Sequence, residues 1–338
     1  MSKEKIIIAD GGGGEKTRQL LGGHILPRFN NRYLDLLGDS AVLPSFDGPL
    51  CMTTDSYVVD PIEFPGGDIG RLAVCGTVND LACEGGIPQW LSMGLIIEEG
   101  LEIEVLDRVL ESAAAAADEA KVQVVAGDTK VIERRGGQIS SLMINTTGIG
   151  SLRANIDLDP GRIVPGDGIL INGNIADHGI SVMSAREGLE FETAVRSDVA
   201  PLSALVFDLF DSCIDIKFLR DPTRSGLAGV IADLVENTGM TVELDESSIP
   251  VSRAAAGAAD ILGLDPMNIA NEGKIVVVTA EKDRQKALAV MRANRYGRNA
   301  AAVGRFTSVT PPVAELVTSA GGRRVINRPY GEELPRIC

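Results

Sequence analysis

Two Pro-Gly dipeptides stand close together near the middle of the chain, and they constrain its fold more than any other feature. They are Pro160-Gly161 and Pro165-Gly166, within the polar stretch 155–167. Proline and glycine interrupt regular elements, so this stretch is typical of a linker. The chain has 338 residues, more than one hydrophobic core usually organises. We therefore predict two domains of mixed α/β (α+β) class, over residues 39–154 and 155–328.

The two ends of the chain differ in composition from the predicted domains. Residues 1–38 include the run Gly11-Gly12-Gly13-Gly14, which predicts a flexible glycine-rich arm. Residues 329–338 contain two prolines and a glycine, which predict an extended, mobile tail ending at Cys338.

Hydrophobic periodicity predicts the elements of each domain. In the first domain we expect strands at 50–54, 89–97, 122–126 and 139–149 and helices at 68–84 and 102–120. In the second we expect strands at 168–172 and 274–279 and helices at 180–186, 202–213, 226–236, 254–262 and 282–293.

Composition excludes several functional classes. A formal net charge of −15 repels a phosphate backbone, so nucleic acid is not an expected partner. No apolar run is long enough for a membrane span, and the N-terminus lacks the features of a secretory signal, so we expect a cytoplasmic protein. The five cysteines include no CxxC pair, which argues against a disulfide framework or a structural zinc site.

Four short motifs each place a carboxylate beside small, amide or hydroxyl residues. Their acids are Asp39, Asp55, Asp80 and Asp128. Two of them follow strand-like runs and Asp80 lies in a predicted helix, so the four could converge on one cavity. Mg²⁺ prefers a few carboxylates plus substrate phosphates, and Lys130 could bind a phosphate oxygen. A turn or a helix cap is the alternative for each motif alone, whereas four together favour a metal site.

Familiar nucleotide motifs do not explain these acids. Glu15 stands where a P-loop has the glycine before its lysine, and no GxGxxG follows a strand, so neither a P-loop nor a Rossmann site is predicted. Residues 64–70 open the helix that carries Asp80, and amides at a helix start favour anions. A plain Pro-Gly turn is the alternative for that segment.

Eight motifs resemble those of the HypE family of hydrogenase maturation proteins. They are TTDSYVVDP (53–61), FPGGDIG (64–70), CGTVNDL (75–81), GDTKV (127–131), DHG (177–179), DPTR (221–224), NEGK (271–274) and PRIC (335–338). The acidic motifs also resemble aminoimidazole ribonucleotide synthetase and selenophosphate synthetase, of the same superfamily. The PRIC ending is peculiar to HypE, so it carries the assignment.

The resemblance implies a two-domain PurM-like fold whose N-terminal sheets pair in a homodimer, with ATP and Mg²⁺ in a cleft. It implies metal contacts at Asp39, Asp55, Asp80 and Asp128 and further nucleotide contacts at Thr54, Asn79 and Lys130. It also implies that HypF, a carbamoyltransferase, loads Cys338 and that the cyano group then passes to iron on the HypC–HypD complex.

The implied activity is ATP-dependent dehydration of a carbamoyl group on Cys338 to a thiocyanate. Hydroxide is a poor leaving group, so the carboxamide oxygen has to be phosphorylated first, with Lys130 helping to neutralise the phosphoryl charge. A base then removes the amide proton. Glu272 is the first candidate and His178 the second, although Glu272 could instead cap a turn and His178 could be a structural helix-start residue.

Two departures from the superfamily pattern and two alternative functions stay open. Ser40 stands where a second acid is common, and Ser225-Gly226 replaces a Gly-Gly pair, which puts in doubt a positive φ at position 225. The first alternative is a synthetase that phosphorylates a small metabolite, although the reactive N-terminal cysteine of selenophosphate synthetase is absent from residues 1–26. The second is a non-catalytic, ATP-gated docking module.

Overall fold

A computed structural model describes residues 4–35, 37–46, 48–134, 141–188 and 195–328. Its α-helices are α1 (Glu15–Leu20), α2 (Ile69–Cys83), α3 (Ile103–Ala120), α4 (Asp177–Glu187), α5 (Ser203–Asp211), α6 (Gly226–Thr238), α7 (Arg253–Leu262) and α8 (Arg284–Ala293). Its strands are β1 (Leu50–Tyr57), β2 (Glu63–Phe64), β3 (Gly67–Asp68), β4 (Gly86–Glu98), β5 (Gln123–Ile132), β6 (Leu142–Leu152), β7 (Gly168–Ile171), β8 (Ile216–Arg220), β9 (Thr241–Asp245), β10 (Val276–Thr279), β11 (Ala301–Thr307), β12 (Ala314–Val317) and β13 (Arg323–Val325).

The first sheet is half buried. Its four strands run in the order β1-β6-β4-β5, and burial alternates along β1 and β6. Alternating side chains of a strand point to opposite faces, so one face packs on α2 and α3 and the other stays exposed. Asp68 caps α2, since its Oδ1 accepts hydrogen bonds from the amides of Gly70 (2.8 Å) and Arg71 (3.0 Å).

The central strands of the second sheet are buried on both faces. Its seven strands run in the order β13-β12-β9-β11-β7-β10-β8, and every residue of β7 and β10 is buried. Side chains on one face pack with α6, whereas those on the other pack with α5 and α8. Coverage on both sides explains why these strands are continuous apolar runs.

The predicted elements are confirmed within the described residues, but hydrophobic periodicity did not predict several short strands. Helices predicted at 68–84 and 102–120 are α2 and α3, and the seven elements predicted for the second domain correspond to β7, α4, α5, α6, α7, β10 and α8. The missed strands are β2, β3, β8, β9, β11, β12 and β13. The longest of these has seven residues, too few for periodicity to distinguish a strand from a buried turn.

The N-terminal segment differs from the flexible arm that we expected for residues 1–38. Its described part forms α1 and short helical turns between Ile8 and Arg28. Ile6, Leu20 and Phe29 are buried in the core of the first domain. Arg28 pairs with Asp107 of α3 at 2.9 Å. The glycine run marks a local turn, and the apolar residues around it bury enough surface to fix the segment.

Gly11 provides a test of this packing. A Cβ at Gly11 would lie 2.4 Å from the amide nitrogen of Val131, whereas the nearest atom to a Cβ at Gly12 lies at 3.6 Å. We expect Gly11→Ala to lower the free energy of unfolding by about 1–3 kcal/mol through overpacking, and Gly12→Ala to leave it nearly unchanged. Urea denaturation measures both. Equal stability of the two variants would mean that the segment does not pack on β5.

Candidate functional site

A cavity of about 720 Å³ lies between the two sheets. Four acids form one wall of this cavity. Asp55 lies on β1 and Asp80 on α2, whereas Glu84 directly follows α2 and Asp221 directly follows β8. We call it the acidic cavity. It needs both domains, because β1 and α2 belong to the first and β8 to the second.

Asp55 and Asp80 are held by different partners inside this cavity. Thr53 donates a hydrogen bond from Oγ1 to Asp80 Oδ2 at 2.9 Å. Arg224 Nη2 donates to Asp55 Oδ1, also at 2.9 Å. Burial, opposed by the Thr53 hydrogen bond and reinforced by the charge of Asp55, raises the pKa of Asp80. The two acids are therefore held from different elements, Asp80 by β1 and Asp55 by the segment before α6.

Asp221 is a site residue that the prediction missed. Burial, and next the charge of Asp80, raise the pKa of Asp221 to about 7. A carboxyl group with that pKa can give or take a proton near neutral pH. Asp221 stood in the DPTR motif that we quoted for the family, and the signal that could have found it is an acid directly following a buried strand.

Arginines on the opposite side of the cavity bind one helix. Asp233 of α6 accepts a hydrogen bond from Arg220 Nη1 at 2.9 Å and another from Arg328. Arg328 also donates to Glu236 Oε2 at 2.9 Å. Arg328 is the last residue that the structure describes and it lines the acidic cavity. The predicted tail 329–338, with the candidate nucleophile Cys338, lies outside the described residues.

A second cavity, of about 420 Å³, lies beneath the N-terminal segment. At its polar end are Asp39, Ser40, Asp128 and Lys130. Its apolar lining includes Leu21, Ile25, Phe29, Leu34 and Val124. Lys130 Nζ donates to Asp128 Oδ1 at 2.9 Å, which holds the pKa of Asp128 below its ordinary value. We call it the N-terminal cavity.

The four predicted metal ligands do not meet in one cavity of a single chain. Asp55 and Asp80 line the acidic cavity, whereas Asp39 and Asp128 line the N-terminal cavity. The reason is the strand order: β1 and β5 are the two edges of a four-stranded sheet, so Asp55 and Asp128 are three strand spacings, about 14 Å, apart. Within the described residues, no three His, Cys, Asp or Glu side chains are close enough to hold a metal ion.

Thr54 and Asn79, two of the three further residues predicted to contact nucleotide, differ in exposure. Thr54 is exposed and lines the acidic cavity, where its Oγ1 accepts a hydrogen bond from Thr147 Oγ1 at 2.9 Å. Asn79 is buried and contacts backbone instead. Its Nδ2 donates to Ala200 O (3.0 Å) and Glu272 O (3.3 Å), and its Oδ1 accepts from the amide of Leu202 (2.7 Å). Asn79 therefore joins α2 to the second domain, and its predicted nucleotide contact is not supported by these bonds.

Glu272 is fully enclosed between the domains. Its backbone amide donates to Asp198 Oδ1 at 3.1 Å, and its side-chain Oε1 is buried without a hydrogen-bond partner. Burial, and next the charges of Asp221 and Asp198, raise the pKa of Glu272 well above its ordinary value. The enclosed carboxyl therefore favours its neutral form more strongly than an exposed glutamate does.

His178 lies apart from both cavities as the described residues define them. It is completely buried, its Nδ1 is 2.8 Å from Ser197 Oγ, and its ring packs edge-on against Phe64. These contacts are those of a structural residue near the start of α4, the alternative considered from the sequence.

Ser225 does adopt the backbone conformation that its sequence put in doubt. Its φ is 61°, and that of the following Gly226 is 57°. Ser225 directly precedes α6 and Gly226 begins it, at the edge of the acidic cavity. With this φ, the serine occupies a left-handed position that favours glycine.

Comparisons with known proteins agree with this architecture. Residues 37–152 match the N-terminal domain, and residues 164–315 the C-terminal domain, of AIR synthase related proteins. Carbamoyl dehydratase HypE of Rhizobium leguminosarum bv. viciae is 42% identical over 335 residues, which cover 99% of this chain and 95% of that protein.

Two solved structures are similar over nearly the whole chain. A crystal structure of hydrogenase maturation protein HypE in complex with ATP is 42% identical, covers 98% of this chain and 99% of its own, and has a TM-score of 0.93. A crystal structure of a HypE–HypF complex is 41% identical, covers 94% and 100%, and has a TM-score of 0.79. The predicted two-domain, PurM-like α/β fold is confirmed. None of the described helices is both long and apolar enough to cross a membrane.

The raised pKa of Asp221 predicts a pH-dependent stability. Folded Asp221 retains a proton that the unfolded chain releases, so the native state binds more protons between about pH 4 and 7 and loses stability as pH rises through that window. Asp221→Asn removes the effect. We expect the free energy of unfolding of the variant, relative to that of the parent, to rise by about 2–4 kcal/mol between pH 4.5 and pH 8.

Urea denaturation with EDTA present measures this difference at several pH values. Asp260→Asn, an exposed position on α7, is the control and should show no such trend. If the difference between Asp221→Asn and the parent were constant with pH, the carboxyl would titrate normally.

Proposed function

Because the chain belongs to the HypE family of carbamoyl dehydratases, we propose that it uses ATP to dehydrate a carbamoyl group on Cys338 to a thiocyanate. This product would provide the cyanide ligand for the iron of NiFe hydrogenase. The reaction would take place at the two cavities described above.

The position of Arg328 is the observation that carries the proposal. Arg328 lines the acidic cavity and is bound to α6 there. Cys338 is the tenth residue after it, and an extended chain of ten residues spans about 33 Å. The tail is therefore long enough for the Cys338 sulfur to reach Asp55, Asp80 and Asp221. This reach supports a swinging arm that alternates between its own cavity and a partner.

The chemistry needs two successive steps. The carboxamide oxygen attacks the γ-phosphorus of ATP, which forms an O-phosphoryl imidate and ADP and releases one amide proton. The remaining N–H proton is then removed as the C–O bond breaks, so that inorganic phosphate leaves and the S–C≡N group remains. Phosphoryl transfer of this kind is governed by positioning and charge neutralisation, which the arginines of the acidic cavity and Lys130 of the N-terminal cavity would provide.

The N-terminal cavity is the proposed nucleotide site. Its apolar side, formed by Leu21, Ile25 and Phe29 among others, suits an aromatic base, and its polar end places Lys130 where the phosphates would lie. A relative has been crystallised with ATP, which supports nucleotide binding in general.

Magnesium fits the donor atoms present. Asp55 and Asp80 in one cavity, and Asp39 and Asp128 in the other, offer pairs of hard carboxylate oxygens. Mg²⁺ is commonly held by one or two carboxylates plus phosphate oxygens. Bound there, it would neutralise charge on the phosphates.

A homodimer would bring the separated acids together. The exposed face of the first sheet carries Leu50, Met52, Ile87 and Ile96, apolar residues of the kind that an interface covers. If two such faces pack about a twofold axis along the strands, the β5 edge of one protomer lies over the β1 edge of its partner. Asp128 and Lys130 would then approach the partner's acidic cavity and complete the site.

Two carboxyl groups are proposed for proton transfer. Glu272 stays a candidate base, although burial raises its pKa and so disfavours the carboxylate form. Asp221 lines the cavity, and its pKa of about 7 suits a general base near neutral pH. Glu272 could then supply its proton to the departing phosphate. His178 is the weakest candidate, since Phe64 and Ser197 enclose it.

The proposed partners follow from the reaction. HypF would load the carbamoyl group, and a relative has been crystallised with HypF. The HypC–HypD complex would accept the cyano group, and such carriers would meet this chain in the cytoplasm. A synthetase acting on a small metabolite and an ATP-gated docking module stay as alternatives, because the same acids could serve either.

Mass spectrometry distinguishes these functions. We expect Cys338-carbamoylated protein to lose the mass of one water when it is incubated with ATP and Mg²⁺. Asp80→Asn should slow this single turnover on the order of 100-fold, because it removes a charge that organises the phosphates. Asp260→Asn, the exposed control, should react at the parent rate.

Two outcomes would contradict the proposal. ATP hydrolysis with no mass change at Cys338 would indicate a metabolite kinase, and ATP binding without hydrolysis would indicate a docking module. Cys338→Ser, which cannot carry the thioester-like group, should retain ATP binding and form no thiocyanate.

The dimer is tested by a charge on the apolar sheet face. Met52 is 69% exposed in the single chain. We expect Met52→Glu to weaken dimerisation on the order of 100-fold, because the twofold-symmetric interface would bury one unpaired carboxylate from each protomer. Ile261→Glu is the matched control, at a 73% exposed position on α7. Sedimentation velocity measures both, and a dimeric Met52→Glu protein would exclude this face.

A further inference from the structure

Arg224 makes an unusual contact at the edge of the acidic cavity. Its Nη2 lies 2.9 Å from Asp55 Oδ1, yet its side chain is 78% exposed, compared with 27% for Asp55. A mostly solvated guanidinium thus neutralises a carboxylate that faces the cavity.

We propose that Arg224 is a displaceable counter-ion that holds Asp55 until a divalent cation takes its place. This inference rests on the proposed function, in which Asp55 contributes to cation binding. Arg224 and the cation would compete for one carboxylate, and the released guanidinium would be free to contact the phosphoryl group that arrives with the cation.

The geometry of the pair favours exchange. A single N–H···O bond joins the two side chains, not the two-pronged arrangement that makes arginine–carboxylate pairs strong. Exposed pairs of this kind contribute little stability and exchange readily with solvent ions. The buried pair of Lys274 with Asp198, with side chains 10% and 4% exposed, has no such freedom.

The surroundings explain why a counter-ion is needed there. Asp80 and Asp221 line the same cavity as Asp55. The other described arginines of that lining, Arg220 and Arg328, bind Asp233. Among the described arginines of this lining, Arg224 is therefore the one that pairs with an acid of the first domain. It lies between β8 and α6, two residues after Pro222.

Cation binding without nucleotide tests the proposal. Mn²⁺, an EPR-visible substitute for Mg²⁺ at carboxylate sites, is titrated into the full chain and the free ion is measured. Arg224→Gln should bind Mn²⁺ about threefold more tightly, the range expected for removing an exposed ion pair. Arg220→Gln removes the same charge from the same cavity but leaves the Asp55 contact, so it should change the affinity less.

A double-mutant cycle separates competition from a general change of potential. In an Asp55→Asn background, Arg224→Gln should no longer alter Mn²⁺ affinity. Equal tightening in Arg220→Gln, persistence of the effect without Asp55, or no Mn²⁺ binding by any variant would overturn the proposal. The mass change at Cys338 of the parent protein, measured separately, reports on the proposed function itself.

Discussion

The junction made by Asn79 is the interaction on which the rest of the site depends. One buried side chain on α2 binds the backbone of Ala200, Leu202 and Glu272 in the second domain. Leaving such groups unpaired in the interior costs about 1–3 kcal/mol each. The bonds hold α2, with Asp80 one residue further along, against the segments of the second domain that contain these three residues. The acidic cavity, whose lining comes from both domains, depends on this junction.

Charge is distributed around that junction in two distinct ways. In an enclosed group such as Glu272, burial raises the pKa and favours the neutral form. At the cavity wall, Asp55 is paired with an exposed cation, Arg224. The first kind can store a proton and the second can exchange a partner, and a reaction that moves both a proton and a phosphoryl group requires each.

Much of this fold could be predicted from the sequence, and less of the site. Hydrophobic periodicity predicted long amphipathic segments such as α3 and β6. The packed N-terminal segment did not, because its Gly11 run suggests freedom whereas distant contacts with α3 remove it. The acids were identified as a group, but their division between two cavities depends on strand order. Sequence spacing does not encode that order, so the 14 Å between Asp55 and Asp128 could not be foreseen.

The attachment of Arg328 to α6 has a kinetic consequence. A group tethered by ten residues to the mouth of a cavity experiences a local concentration on the order of millimolar, however dilute the protein is. On the proposed function, each molecule would process its own cargo as a first-order event, and a free thiocarbamate would need millimolar levels to compete. Dilution in the cell would then limit delivery by other proteins and leave the chemical step unaffected.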